Sequence, residues 1–472
     1  MPASWATPGL DLHLDRTGPR VRAGLENTLR DAVRTGRLAP GLPLPSSRAL
    51  AADLGIARNT VVAAYTQLVA EGWLTAERGT GTRVADRAPA VAAATVGPGR
   101  PPALPRYDLR PGSPDVSAFP RQAWLGATRR ALTAAPAEAL GYCDPRGRPE
   151  LRQALAGYLA RARGVQVTPD RVVVCSGYTQ GLALLCQVLR ARGATVLAVE
   201  TVGQPTHRNA AVASGLAVDP LPVDSHGAVI SQLGRAAAVL LTPAHQFPLG
   251  AALAPQRRHQ VVDWAAATGG LVIEDDYDGE FRYDRQPVGA LQALAPEHVV
   301  YGGTVSKSLA PGLRLGWLVL PAGLVDEVVA VKELTDRGTS SIEQLTLAEF
   351  IRSGGYDHQV RRSRLAYRRR RDRLVAALRQ HAPDVGITGI TAGLHLLLEL
   401  PAGHTEAGLI ARAAARGLAL EGLSGYHATP GPHPPALVVG YGTPPEHAFA
   451  GALARLTATL AVPPPRRRQS AI

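Results

Sequence analysis

Of the 51 basic residues in this 472-residue chain, only Lys307 and Lys332 are lysines, so any chemistry that needs a primary amine has two candidates. Lys307 lies in GGTVSKSLAPGLRLGW, from Gly302 to Trp317, a polar loop between two apolar runs. A lone lysine in a Ser/Gly loop is usually a solvated surface group. Here a chain that has almost replaced lysine by arginine keeps one, and arginine forms no imine under physiological conditions. The pattern favours a Schiff-base lysine. Upstream, the apolar run Leu271 to Ile273 leads into EDDYDGEFRY, from Glu274 to Tyr283. An acid cluster at a strand end reads equally as a solvent-facing edge, a metal site or a partner for a cationic ring.

Two further segments add polar groups at the ends of apolar runs. In CSGYTQGL, from Cys175 to Leu182, a strand turns through Ser176 and Gly177 into a helix. Amides at a helix start suit a phosphate, and Ser176, Tyr178 and Thr179 can complete the cup, with Arg314 adding a cation. In TPAHQFPLG, from Thr242 to Gly250, His245 or Gln246 is placed to contact a ring, although a His-Gln pair in a loop is more often structural. Pyridoxal phosphate (PLP) needs such a set: an amine for its aldehyde, a phosphate cup, and a carboxylate that keeps its pyridine nitrogen protonated. On that reading Asp275 meets the ring nitrogen, Tyr277 the ring hydroxyl, and Thr304 and Ser306 are further cofactor contacts beside Lys307.

The elements that must position these groups follow from hydrophobic periodicity. Val172 to Cys175, Val196 to Val199, Val239 to Leu241, Leu271 to Ile273 and Val299 to Tyr301 read as strands, with helices such as Thr179 to Arg190 and Pro255 to Thr268 between them. The alternation predicts an α/β domain over 107–462, with a mostly parallel sheet and functional groups gathered at strand ends.

Before this domain lies a helical unit, 10–84. Val21, Leu25, Leu29 and Val33 recur at helical spacing, Ser46 stands where an N-cap belongs, and Gly55 ends a second helix. A third helix carries Val61, Val62, Tyr65, Leu68 and Val69 on one face. Trp73 to Glu77 and Thr82 to Val84 can pair across the Gly-rich tip Arg78-Gly79-Thr80-Gly81. The proportions are those of a winged helix-turn-helix, whose third helix enters the major groove by its N-terminal end. Between the units, 85–106 holds five Pro and seven Ala and reads as a linker, while 463–472 reads as a basic tail.

The net charge of +13 is concentrated: Arg361 to Arg373 holds eight Arg and one Asp, whereas residues 1–84 carry ten Arg against seven acids. Charge alone therefore does not mark the head as DNA-binding. Leu365, Leu374 and Leu378 suggest that the Arg-rich run is a solvated helix with an apolar seam, a reading preferred over a second nucleic-acid patch. No apolar run is long enough to span a bilayer and no secretory leader pattern opens the chain. Cys143, Cys175 and Cys186 are too scattered for a disulfide framework, and a cytoplasmic location is expected.

The string LPSSRALAADLGIARNTVVAAYTQLVAEGWL, Leu44 to Leu74, followed by RGTGTRV, Arg78 to Val84, resembles the winged-helix head of GntR-type regulators. The segments around Lys307, Asp275, Ser176 and His245, with FPRQAW near Phe119 and GYCDPRGRPELR from Gly141, resemble the fold-type I aminotransferase domain of the MocR/GabR subfamily. The resemblance implies that Arg48 clamps a phosphate or base, that Arg58, Asn59 and Thr60 enter the groove, and that Gly79 and Gly81 let the wing approach DNA. It also implies a homodimer with cofactor sites at the subunit interface, Tyr142 reaching the partner's phosphate, and a smaller C-terminal α+β subdomain. Arg208 would hold the carboxylate of an amine or amino-acid effector; PLP itself is the other candidate signal.

Three departures stand out. Ala57 replaces the usual Ser at the recognition-helix start, Val202-Gly203-Gln204 replaces Pro-Gly-Tyr, and Val438 stands near where a second carboxylate-binding arginine is expected. The leading expectation is a PLP-dependent transcription regulator bound to operator DNA. The alternatives are a working aminotransferase with an incidental head, and a DNA-binding protein whose core has lost its cofactor.

Overall fold

The computed structural model describes residues 21–77, 81–86, 105–283 and 288–461. They fall into two units that part between Ala103 and Leu104. The expected linker (except its ends), the tail, residues 10–20 and the wing tip with Gly79 lie outside the described residues.

In the head, α1 (Val21–Arg34) buries Leu25, Leu29 and Val33, the stripe that its 3.6-residue period predicts. The second helix, α2 (Ser47–Leu54), begins where Ser46 Oγ accepts the Ala49 N–H at 3.2 Å and ends at Gly55 with φ +64°. In α3 (Arg58–Ala70) the buried face is Val61, Ala64, Tyr65 and Leu68. Val62, expected on that face, is 42% exposed. At 100° per residue it is turned away from the Val61–Leu68 seam, and Ala64 takes its place. The strands β1 (Leu74–Glu77) and β2 (Gly81–Val84) pair antiparallel from Leu74 with Val84 to Glu77 with Gly81.

The core is built on seven strands: β3 (Val172–Cys175), β4 (Val196–Glu200), β5 (Ala217–Leu221), β6 (Ala238–Leu241), β7 (Leu271–Asp275), β8 (Val299–Thr304) and β9 (Gly316–Val319). Their order is β3-β9-β8-β7-β6-β4-β5, all parallel except β9. Every strand read from the sequence is present, because these runs are buried on both faces and carry no competing helical period. The C-terminal ends of the parallel strands, Cys175, Glu200, Leu241, Asp275 and Thr304, lie along one edge of the sheet. Helices that follow them include α4 (Tyr178–Ala191), α5 (Pro205–Ala213) and α6 (Pro255–Thr268).

The long helix α7 (Gly355–His381) leads into an antiparallel sheet, β10 (Gly386–Thr388), β11 (His395–Glu399), β12 (Glu421–Gly422) and β13 (Ala436–Gly440), in the order β10-β11-β13-β12. Leu396, Leu398, Leu437, Val439 and Phe449 pack this smaller subdomain. Leu374 and Leu378 are buried on α7 as expected, but Leu365 is 56% exposed. The seam is completed by Tyr356, Tyr367 and the guanidinium of Arg370, which donates to Asp115 Oδ2 at 2.8 Å and to Glu446 Oε2 at 2.9 Å. No helix among the described residues is long and apolar enough to cross a membrane.

Candidate cofactor pocket and nucleic-acid interface

The acid run at the end of β7 is dispersed by the fold. Glu274 accepts the amides of Leu291 and Gln292 at 2.8 and 2.9 Å, and burial, with Asp276 adding, pushes its carboxyl up to about 7. Asp276 forms a two-pronged pair with Arg163 (2.6 and 3.1 Å) and accepts the Tyr301 hydroxyl at 2.7 Å. Asp278 meets His245 Nδ1 at 2.8 Å, and Glu280 faces the hydroxyls of Tyr158 and Tyr356. Asp275 alone of the five has no strong partner. It is 4% exposed, its Oδ1 has no hydrogen-bond partner, and its Oδ2 lies 3.7 Å from His207 Nε2. Burial first, then Asp276, raises its carboxyl well above the usual range, while Lys307 opposes the shift.

Asp275 borders a cavity of about 320 Å³ that Lys307, Tyr277, Tyr178, Thr179, Thr304, Ser306, Arg208 and Arg314 also line. Lys307 follows β8, and its Nζ donates to the Gly112 carbonyl. Burial lowers its ammonium pKa, against the pull of Asp275 and Asp278. The other lysine is consumed elsewhere: Lys332 is fully buried, with Nζ 2.7 Å from Asp336 Oδ2. Lys307 is thus the amine of the pocket.

The Ser176-Gly177 turn needs glycine. Gly177 has φ +87°, and a Cβ there would meet Arg314 Nη2 at 3.0 Å. Arg314 has a left-handed backbone itself (φ 51°) and donates to the Ser176 carbonyl at 2.7 Å, which fixes it across the start of α4. Ser176 and Gly177 stand behind the cavity wall while Tyr178 and Thr179 form it. The Ser176 amide is already taken by Gln180 Oε1 at 2.6 Å, and the Tyr178 hydroxyl is buried without a partner. Thr304 and Ser306, which both line the cavity, share a hydroxyl contact of 2.8 Å.

Gln246 does not line the cavity, contrary to expectation. It is 1% exposed, and its amide nitrogen donates to the carbonyls of Val202 (2.7 Å) and Phe247 (2.8 Å) while its oxygen accepts the Leu249 amide at 3.0 Å. With every group satisfied it staples its own loop, and Phe247 faces the cavity instead. His245 is likewise one layer back: its Nδ1 lies 3.0 Å from the Tyr277 hydroxyl and 2.8 Å from Asp278. Its ring lies 5.0 Å from that of His395 at a tilt, and these two histidines with Asp278 form the one group of potential metal ligands among the described residues.

Cavity residues that sequence reasoning missed include Gly112, Glu200, His207, Phe247 and His395. Glu200, at the end of β4, follows from the strand-end rule; His207 adjoins the singled-out Arg208. Gly112 and His395 come from segments with no local indication. Burial, with Lys307 and Arg208 nearby, lowers His207 to about 4, so its imidazole is neutral at ordinary pH.

The model for "Bacterial regulatory proteins, gntR family" matches residues 22–84, and that for "Aminotransferase class I and II" matches 112–432. Over 92% of this chain and 94% of its own length, the HTH-type pyridoxine biosynthesis transcriptional regulator PdxR of Corynebacterium glutamicum is 32% identical. The probable rhizopine catabolism regulatory protein MocR of Rhizobium meliloti is also 32% identical, over 79% of this chain and 80% of its own. The chain belongs to the MocR/GabR subfamily of GntR-type transcription regulators.

This regulator's core shares its fold with an archaeal alanine:glyoxylate aminotransferase (TM-score 0.69, 24% identity, 75% of this chain and 90% of that one). In the head of this MocR/GabR member, Arg48, Arg58 and Asn59 are exposed, Thr60 is half-buried in the first turn of α3, and Gly81 opens β2 with φ +87°. Ala57 occupies the N-cap with an extended backbone and no side-chain hydrogen bond, as its methyl group dictates. Tyr142 is 91% exposed, its ring 5.0 Å from the Arg337 guanidinium, and it does not touch the cavity of its own chain. Arg208 reaches the cavity with three N–H donors already committed, to the carbonyls of Gly203 (2.9 Å), Tyr426 (3.0 Å) and His427 (3.3 Å). Two of its five donors remain. Val438 is fully buried in β13 against Leu397, with Val202 and Phe247 in the same cluster.

Proposed function

We propose that this transcription regulator binds PLP through Lys307 and that occupancy of the pocket, by PLP or by an amine or amino-acid ligand beside it, sets how the heads engage operator DNA. The observation that carries the reading is the unpartnered, buried Asp275 Oδ1 in the same cavity as the chain's one pocket lysine. A protonated ring nitrogen is the kind of donor that this oxygen lacks, so the residues fit the cofactor. When bound, PLP supplies an electron-withdrawing ring and an aldehyde that reacts reversibly with amines.

The chain's own groups would do the rest. Desolvation of Lys307 raises its share of free amine, the form able to attack a carbonyl carbon. Asp275 would hold the ring proton, and the hydroxyl of Tyr277, set by His245 and Asp278, would face the ring oxygen. The N-terminus of α4, with Tyr178, Thr179 and Arg314, would receive the phosphate, with the Ser176-Gly177 turn shaping the wall behind it and Thr304 and Ser306 in support. The two uncommitted donors of Arg208 would meet an effector carboxylate. Exposure of Tyr142 leaves it free to reach the phosphate of a second copy in a homodimer, and a DNA-bound regulator would work in the cytoplasm. Signalling then requires that the ligand bind the two conformations of the core unequally.

Visible absorption of the protein with added PLP, followed by borohydride reduction and peptide mapping, tests this reading. Fixation at Lys307, lost in Lys307→Ala, is expected. Fixation at Lys332 or nowhere would overturn it.

A further inference from the structure

The arginines of α7 divide into two sets. Arg370 is buried and paired with Asp115 and Glu446; Arg373 lies 3.5 Å from Glu446; Arg371 lies 3.9 Å from Asp372; Arg364 donates to the Glu280 carbonyl. Arg361, Arg362, Arg368 and Arg369 are exposed, and among the described residues no acid lies within ion-pair distance of any of them. Arg379, about three turns on from Arg369, is exposed as well. Elsewhere on the described surface some exposed arginines pair with an acid, as Arg192 does with Glu327 and Arg130 with Glu349, and others, such as Arg129 and Arg235, do not; what distinguishes the helix is the clustering of its unpaired arginines on one face.

At 3.6 residues per turn, Arg361, Arg362, Leu365, Arg368 and Arg369 fall within an arc of about 120°, and Arg379 returns to the same arc roughly 27 Å along the axis from Arg361. The exposure of Leu365 follows from this: it sits at the centre of the arc between two arginine pairs. Like charges at four-residue spacing, Arg364 with Arg368 and Arg369 with Arg373, disfavour an isolated helix by about 0.2–0.5 kcal/mol each. Asp372 falls in the same arc four residues past Arg368 and lies 3.9 Å from Arg371, so one acid stands against the five arginines of the arc.

We infer that this arginine stripe is a second DNA-contacting surface, which binds the phosphate backbone of duplex flanking the sites read by the heads. Charge complementarity selects the occupant. Duplex DNA offers one negative charge per about 1.7 Å of axis, so the four guanidiniums of 361–369, spread over roughly 12 Å of helix, face several phosphates at once. The contacts carry no base information, since guanidiniums on phosphates position without specifying. The inference rests on the DNA-binding reading of the head.

The test is the salt dependence of binding of the full-length protein to a mixed-sequence duplex of about 60 base pairs, where each phosphate contact contributes roughly 0.9 to the slope of log K against log salt. Arg361→Gln/Arg362→Gln and Arg368→Gln/Arg369→Gln should each lower the slope magnitude by about 1.8. The exposed pair Arg129→Gln/Arg235→Gln, which removes the same charge elsewhere on the core, should leave it unchanged. Thermal melting confirms that all variants are folded. Unchanged slopes in both stripe variants would overturn the inference, as would an equal loss in the control pair, which would mark a general effect of net charge. Absence of duplex binding by the wild-type protein would instead defeat the reading of the head.

Discussion

Asp275 offers a test in which stability and ligand binding move in opposite directions. In the cofactor-free protein its Oδ1 is buried without a partner, and the carboxyl is held well above its usual range, chiefly by burial. An unsatisfied buried polar group costs about 1–3 kcal/mol. Asp275→Ala removes that cost, and because the side chain borders a cavity it creates no new void in the packed core. The cofactor-free variant should therefore melt above the wild type by about 1–4 °C.

The pH dependence has a definite sign. A carboxyl raised in the folded state is harmless below the unfolded value near 4 and increasingly destabilising as pH rises through the folded value. The advantage of Asp275→Ala should thus be smallest near pH 4 and grow toward neutrality. With PLP the order reverses. Loss of a hydrogen bond to a charged group, about 1.5–3 kcal/mol, should weaken PLP binding roughly 10- to 150-fold. Melting curves with and without PLP at several pH values, together with absorbance titrations, measure both effects. A variant less stable than the wild type without PLP, or one that binds PLP as tightly, would refute the assignment of Asp275 to the ring nitrogen.

Three further outcomes follow from the geometry. Arg370→Met leaves Asp115 buried without its cation and should destabilise the core by about 3–5 kcal/mol in denaturant unfolding, far more than removal of an exposed arginine. Ser46→Ala removes the cap of α2 and should cost the head about 1 kcal/mol, read as faster amide exchange at Ala49. Arg48→Ala should weaken DNA binding across sequences and reduce the magnitude of the salt slope by about 1; an unchanged slope would mean that Arg48 makes no phosphate contact.

The buried strands were legible because both of their faces are covered, so each is written as a continuous apolar run. The helix caps Ser46 and Gly55 were legible because their chemistry is local: one hydroxyl for an orphan amide, one residue free to take positive φ. Val62 and Leu365 were misplaced for a shared reason. An apolar residue one step off a helical seam looks like part of it until the neighbouring element decides which flank is covered.

The sequence by itself determined the two units, the parallel sheet and the pocket lysine, since these depend on periodicity, turn chemistry and residue type. It also brought the acid run to a strand end. Only the tertiary structure decided which acid is free. Glu274, Asp276, Asp278 and Glu280 each found a partner more than ten residues distant in sequence, and Asp275 did not. The same holds for Gln246, which is absorbed by its loop, and for Arg208, which is partly committed to carbonyls from another segment. Hydrogen-bond satisfaction inside a low-dielectric interior is settled by which chains meet there, and spacing along one chain does not contain that information.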